Sequence, residues 1–231
     1  MPTRTQQTTH AKARGRPARL SRERILETAL ALVKRDGLGA LSMRRLAEEL
    51  DAGTMTLYGY FRGKDELLDA LVDVSSARSK RLRELGDGPW RQQLRQLVLA
   101  TREVLAEHPW EVELRLRRPL VSPGAMRVPE AGLQILQAAG LAPAEAARAF
   151  RTLFLYTFGF SGFGDPDDPE RVRRETLAQV APLPADEYPA VSAAINELAA
   201  TMAGEEQFEF GLDLILDGIE ARLPGQPSGP G

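Results

Sequence analysis

The chain has 231 residues, 43% of them hydrophobic and 27% charged, and its formal charge of −2 says nothing by itself about a nucleic-acid partner. It contains no cysteine, so disulfides, thiol nucleophiles and cysteine-ligated metals are unavailable, and no run of about 18 apolar residues offers a membrane-spanning helix. With a polar, basic N-terminus that lacks an apolar leader core, the expectation is a soluble cytoplasmic protein, long enough for two structural units or one extended helical fold.

Charge is unevenly placed. Residues 1–64 hold 13 Lys plus Arg against 6 Asp plus Glu, a net of +7, which leaves 17 against 26, a net of −9, for residues 65–231. Only the N-terminal part suits a polyphosphate. Residues 1–19 read as a flexible basic arm: Lys12, Arg14, Arg16 and Arg19 lie in it, and Arg22 and Arg24 open the helix that follows. The lightly built stretch Arg14-Gly15-Arg16-Pro17 could enter a narrow A·T-rich minor groove; a solvated tail that orders only on DNA has the same composition.

Ser21 is placed to cap a first helix carrying Ile25, Ala29, Leu32 and Val33 at helical spacing, closed by Lys34, Arg35 and Gly37. Ser42 caps a second, with Leu41 and Leu46 as a hydrophobic staple; Leu46, Ala47 and Leu50 give its apolar face, and Arg44, Arg45, Glu48 and Glu49 its other side. Asp51-Ala52-Gly53 breaks the pattern, and a short third helix spans 54–60. Leu57 and Phe61 supply its burial. Thr54, Met55, Thr56, Tyr58 and Tyr60 are then left with few internal partners, a composition that makes sense as a surface touching something else. Two short helices around a tight turn place such a second helix in a DNA major groove, where Thr and Met methyls can meet thymine methyls and tyrosine hydroxyls can reach phosphates.

Asp65-Glu66 opens a further helix through Leu67, Leu68, Leu71 and Val72, continuing across Arg78 to Arg83 and stopping at Gly86. Helices are expected at about 90–107, 111–117, 124–139, 143–163, 187–203 and 205–223, with no alternation that would indicate strands, so the class is all-α. Residues 164–169, GDPDDP, read as an exposed loop and 224–231 as a disordered tail. Phe150, Leu153, Phe154 and Thr157 form one stripe, and Phe208, Leu212, Ile215, Leu216, Ile219 and Leu223 another. A dimer presenting two recognition helices one DNA turn apart would use these stripes between subunits; they also read as plain intramolecular core.

An enzyme is not expected. There is no cysteine nucleophile, neither His10 nor His108 has an evident Ser or Asp partner, and GFSGFG (159–164) lacks the strand-turn-helix setting of a nucleophile elbow. Asp165, Asp167, Asp168 and Glu170 lack the fixed spacing of a calcium loop, and His108 reads as a residue at a helix C-terminus. No cofactor or metal is expected.

The run Leu46-Ala47, Leu50, Gly53-Thr54-Met55-Thr56-Leu57-Tyr58, Tyr60-Phe61 and Lys64 resembles the DNA-binding domain of TetR-type transcriptional regulators, over roughly residues 20–72. Asp51 departs from it, standing where that family usually has glycine. The segment 90–223, with HPWEVEL near its start and GLDLILDGIEARL near its end, is similar to the C-terminal domain of the tetracycline-repressor branch, whose long eighth and tenth helices pair with their mates in a four-helix bundle.

The resemblance implies a helix-turn-helix domain at 20–66, a regulatory and dimerisation domain at 67–223, and a homodimeric repressor released from a near-palindromic operator by a small hydrophobic molecule. In that reading Arg44, Thr54, Met55 and Thr56 approach base edges, while Tyr58, Tyr60 and Lys64 hold phosphates. Candidate ligand-contacting residues are Leu97, Thr101, Trp110, Leu114, Leu155, Phe158 and Phe163, any of which also reads as ordinary core. The branch holds a magnesium–drug complex with histidines, and two histidines, one of them in the arm, argue against that ligand here. Two rivals are a ligand-binding or scaffold protein whose helix-turn-helix no longer binds specific DNA, and an enzyme retaining a DNA-binding head.

Overall fold

The computed structural model describes residues 20–119, 121–163, 169–201 and 204–224, and all its regular structure is helical. α1 (Arg22–Asp36) starts where the Ser21 hydroxyl accepts from the Arg24 N–H at 3.2 Å. It stops at Gly37, whose φ of 81° brings its N–H to the Val33 carbonyl at 2.9 Å. A single 3-10 turn, Leu38–Ala40, leads to α2 (Met43–Glu49), capped by Ser42 accepting from the Arg45 N–H at 3.1 Å. Leu41 and Leu46 are both buried at this helix entry, as the staple predicts.

α2 closes in a Schellman pattern. The Ala52 N–H reaches the Ala47 carbonyl at 3.0 Å and the Asp51 N–H the Glu48 carbonyl at 3.2 Å, with Asp51 at φ 49°. Among the described residues Asp51 is the only one other than glycine with positive φ. Aspartate is one of the few side chains that visits this region, at a cost of about 1–2 kcal/mol, so the turn forms without the family's glycine.

α3 (Thr54–Tyr58) is followed by α4 (Lys64–Arg78). The helix expected to run on through Arg83 breaks at Ser79. Its hydroxyl accepts from the Leu82 N–H at 3.2 Å and caps a separate short α5 (Lys80–Arg83). One core joins the first four helices, with Ile25, Leu32, Leu46, Leu57, Phe61, Leu67 and Leu71 essentially inaccessible.

A second core lies among α6 (Trp90–Glu107), α8 (Pro123–Ala138), α9 (Pro143–Phe163) and α13 (Glu205–Glu220), with α7 (Trp110–Arg117) between the two. α10 (Pro169–Val180), α11 (Pro189–Ala193) and α12 (Ile195–Ala200) complete the chain, and α10 packs on α12. No helix is expected at α10, whose few large apolar side chains, Val172, Leu177 and Val180, are half-buried among charged ones; an Arg171–Glu175 pair at 2.9 Å is typical of its exposed side. The single helix expected at 187–203 is instead α11 and α12, interrupted at Ala194. No helix of the described residues is long and apolar enough to cross a membrane.

The two stripes assigned to a subunit interface need correcting. Leu153, Thr157, Phe208, Leu212, Leu216 and Ile219 are buried within the single chain, and Leu223 packs half-buried against them. They are turned inward because burying this apolar face outweighs any other orientation of α13, and ion pairs flank it. Arg91 of α6 reaches Asp217 at 2.6 Å and Glu220 at 3.2 Å, and Arg95 pairs with Asp213 and with Glu209 at 3.3 Å. Phe210 and Leu214 point outward, at 60% and 58% exposure.

α4 and α8 meet at very short range. The Asp73 carboxylate of α4 accepts from the Ser122 hydroxyl at 2.5 Å and from the Gly124 N–H at 2.7 Å, sitting on the N-terminus of α8. A Cβ at Gly124 would stand 2.5 Å from the Asp73 Cα, so only glycine fits there.

Candidate nucleic-acid interface and cleft

Leu57 and Phe61 pin α3 to the head core, and that anchoring decides what faces out. Met55 is 81% exposed and Tyr58 45%; Thr56 and Lys64 are exposed, and Thr54 is half-buried. Arg44 projects from α2 with 83% of its side chain accessible, held among the described residues only by Glu48 one turn on at 3.2 Å. An exposed pair of this kind contributes about 0.3–0.5 kcal/mol, so the guanidinium is available to a stronger partner. Arg45 is committed: it shares Glu49 with Arg35, at 3.2 and 2.7 Å, and Arg35 also grips Asp36 at 2.8 Å. Hydrogen bonding to Arg35 holds the Asp36 and Glu49 carboxyls below the usual carboxylate range and raises the Arg35 guanidinium in turn.

Tyr60 corrects the phosphate assignment. Its hydroxyl donates to the Leu20 carbonyl at 2.7 Å, and its own carbonyl accepts from Arg22 at 2.8 Å. Arg22 also lies over the Phe61 ring at 4.1 Å and within 3.8 Å of Glu66. The tyrosine proton is therefore used to fasten the chain where it enters α1. Arg22, at the start of α1, is thus a positioning residue. Arg14 and Arg16 lie outside the described residues.

Between α7, α8 and α9 lies a cleft of about 750 Å³, a size that suits a drug-sized molecule. Of the residues expected there, Leu155 and Phe158 line it. Leu97 and Thr101 flank an adjoining gap of only about 20 Å³ and serve as core. Trp110 and Leu114 are misassigned: they are buried in the core of the helix-turn-helix head, because α7 turns that face toward α1 and α4. The Phe163 side chain lies outside the described residues.

The cleft wall has instead Val112 and Arg115 of α7, Met126 and Pro129 of α8, and Phe150, Arg151 and Phe154 of α9. Phe154 and Phe158 stack with centroids 4.2 Å apart, and Phe150 lies 6.4 Å from Phe154. The spacing of four residues among these phenylalanines is visible in the sequence; which surface they serve is not.

Glu111 sits behind this wall at 1% exposure, taking the Ser75 hydroxyl of α4 on one side and lying 3.7 Å from Arg115 on the other. Burial pushes its carboxyl up, against the opposing pull of Ser75 and Arg115, and burial likewise lowers Arg115. Buried Ser75 and Glu111 thus connect α4 to Arg115, which lines the cleft. His108, the C-cap of α6, is half-buried beside Trp110, and burial lowers its pKa. Of the acidic residues at 165–170, only Glu170 is described; it lies in the first turn of α10, 3.7 Å from Arg173.

Residues 25–71 match the family described as bacterial regulatory proteins, tetR family, and residues 83–223 match the tetracyclin repressor-like C-terminal domain. The HTH-type transcriptional repressor DrrR1 of Streptomyces coeruleorubidus is 35% identical over 220 residues, covering 90% of this chain and 80% of that protein. The tetracycline repressor protein class A from transposon 1721, from Escherichia coli, is 31% identical over 209 residues, covering 86% and 89% respectively. Among solved structures, the Streptomyces coelicolor TetR family protein ActR in complex with actinorhodin aligns with a TM-score of 0.78 at 26% identity, covering 90% of this chain and 99% of that one.

Proposed function

The chain belongs to the TetR family of bacterial transcriptional regulators, and we propose that its ligand-responsive repression works through a homodimer on a near-palindromic operator. The observation that carries this reading is the pairing of two surfaces through one short helix. α3 offers Met55, Thr56 and Tyr58 outward from a buried anchor, and α7 lies between that head and the cleft. Neither the scaffold reading nor the enzyme reading accounts for both.

On DNA, α3 enters the major groove with Thr54, Met55, Thr56 and Arg44 toward base edges, while Tyr58 and Lys64, the latter at the α4 N-terminus, hold phosphates. Arg14 and Arg16 follow the minor groove beside it. The subunits meet through the outward faces of α9 and α13, where Phe210 and Leu214 are exposed. A small, largely apolar effector occupies the cleft and releases the operator. Selection of bound duplexes from a randomised pool tests the reading: enrichment of an inverted repeat is expected, and recovery of no repeated half-site would refute specific operator binding. Phe210→Glu should convert the dimer to a monomer in light scattering; an unchanged mass would move the interface elsewhere.

A further inference from the structure

The chain has five methionines and no cysteine, so a peroxide finds thioethers and no thiol to intercept it. Three of the five have described side chains, in three different settings. Met43 is 7% exposed and closed into the core of the head, Met126 is 40% exposed on the cleft wall, and Met55 is 81% exposed at the second residue of α3. Met1 and Met202 lie outside the described residues. The oxidant has to reach the sulfur itself, so among the three the order of attack follows exposure and begins at Met55.

Met55 also stands apart from the packing that holds its helix. Buried Leu57 and Phe61 anchor α3, and Met55 belongs to neither hydrophobic core of the described residues. Its sulfur can therefore gain an oxygen without loss of a packed contact, and in the free protein the sulfoxide stays in water. On DNA the balance differs. The methyl that would meet a thymine methyl is replaced at the contact by a strong acceptor, which must shed its water against phosphates and a groove edge lined largely by acceptors. Oxidation costs the fold little and falls on the bound state.

We infer that Met55 is an oxidation site through which hydrogen peroxide loosens operator binding. One oxygen atom passes from the peroxide to the Met55 sulfur, the sulfur is oxidised by two electrons, and water leaves; methionine sulfoxide reductases return the sulfoxide to methionine. This rests on the reading of α3 as the base-contacting helix and adds a modification to it. In a symmetric dimer both half-sites carry the change. A loss of roughly tenfold at each, the scale of one mismatched base pair, multiplies to roughly a hundredfold for the doubly oxidised dimer.

The test treats the full-length protein with hydrogen peroxide, quantifies sulfoxide at each methionine by peptide mass spectrometry, and measures affinity for the selected operator beside an untreated sample. Met55 should oxidise ahead of Met126 and Met43, and affinity should fall roughly a hundredfold while the melting temperature moves by less than about 2 °C. A mixture of the two epimer-specific reductases should restore binding. Met55→Leu, measured against its own untreated sample so that any effect of the substitution cancels, should lose the peroxide response; Met126→Leu, measured the same way, should keep it. Complete sulfoxide at Met55 with unchanged affinity, a Met55→Leu protein as sensitive as its parent, or oxidation that begins at Met43 and unfolds the head would overturn the inference. Met55→Ala separates it from the reading beneath it. If that variant weakens operator binding and the sulfoxide does not, the oxidation site alone fails; if neither changes binding, the base contact assigned to Met55 fails with it.

Discussion

Gly124→Ala probes the α4–α8 joint at its tightest point. The added Cβ would begin 2.5 Å from the Asp73 Cα and 2.3 Å from its Oδ1. The first of these is backbone in the middle of a 15-residue helix, so no rotamer change relieves it. Restoring an ordinary carbon–carbon distance requires the helices to part by roughly 1 Å, and overpacking of this kind costs about 1–3 kcal/mol. The same displacement stretches the 2.7 Å bond from the Gly124 N–H to the Asp73 carboxylate, and a hydrogen bond to a charged group contributes about 1.5–3 kcal/mol. Together the loss should be about 3–5 kcal/mol, which for a chain of this length lowers the melting temperature by roughly 10 °C. Thermal unfolding followed by circular dichroism measures it, with Asp73→Asn as the companion that removes the charge without the clash and should lose about half as much. A Gly124→Ala protein melting within about 1 °C of its parent would show that the helices do not approach as described and that the joint cannot be a rigid connection.

Asp51→Gly should stabilise the head by about 1 kcal/mol by removing the left-handed penalty at the Schellman turn; a neutral or destabilising result in chemical denaturation would mean that the aspartate side chain repays its conformation locally. Tyr60→Phe should lose about 1 kcal/mol of stability with the Leu20 bond and leave operator affinity nearly unchanged, whereas the reverse pattern would return the hydroxyl to a phosphate role. Lys64→Ala should weaken all duplexes alike and reduce the salt slope by about 1, while Arg44→Ala should cost about 1–3 kcal/mol on operator alone; identical behaviour of the two on random DNA would remove Arg44 from base reading. Glu111 binds its proton more tightly folded than unfolded, because burial raises its pKa above 4.5, so stability it contributes below that pH is lost as pH rises through the raised value. The stability of Glu111→Gln relative to its parent should therefore climb with pH from about 4.5 upward, and a difference independent of pH would show that the carboxyl is not desolvated.

The features legible beforehand are those written in neighbouring residues. Ser21 and Ser42 cap as their spacing indicates, Leu41 and Leu46 staple, and Leu57 and Phe61 are buried while Met55 and Thr56 are not. The role of Tyr60 is not legible locally, because its partner, Leu20, is 40 positions away and only the folded head brings them together. Trp110 and Leu114 show the same limit on a larger scale. An apolar helical face announces burial but not which of two cores receives it, and both cores of this chain offer similar aliphatic surfaces. The stripes on α9 and α13 are legible as stripes; that they close on α6 of the same chain, with Arg91 and Arg95 meeting the acidic side of α13 more than 110 residues later, is a long-range outcome that local spacing does not contain. α10 carries only three large apolar side chains, Val172, Leu177 and Val180, too few in a strongly charged segment to mark a core-facing stripe.

The position of Trp110 and Leu114 also bears on how such regulators can be recombined. A hybrid made by cutting after α4 and fusing a foreign head to this body would strand two large apolar side chains against a surface that did not evolve beside them, and would strip the native head of part of its own interior. The natural unit of exchange is discontinuous: α1 to α4 together with α7, taken from one parent, even though α5 and α6 lie between them in the chain. Grafts that carry α7 with the head should keep cooperative folding, and the new effector response would then have to be rebuilt from α8 and α9 alone.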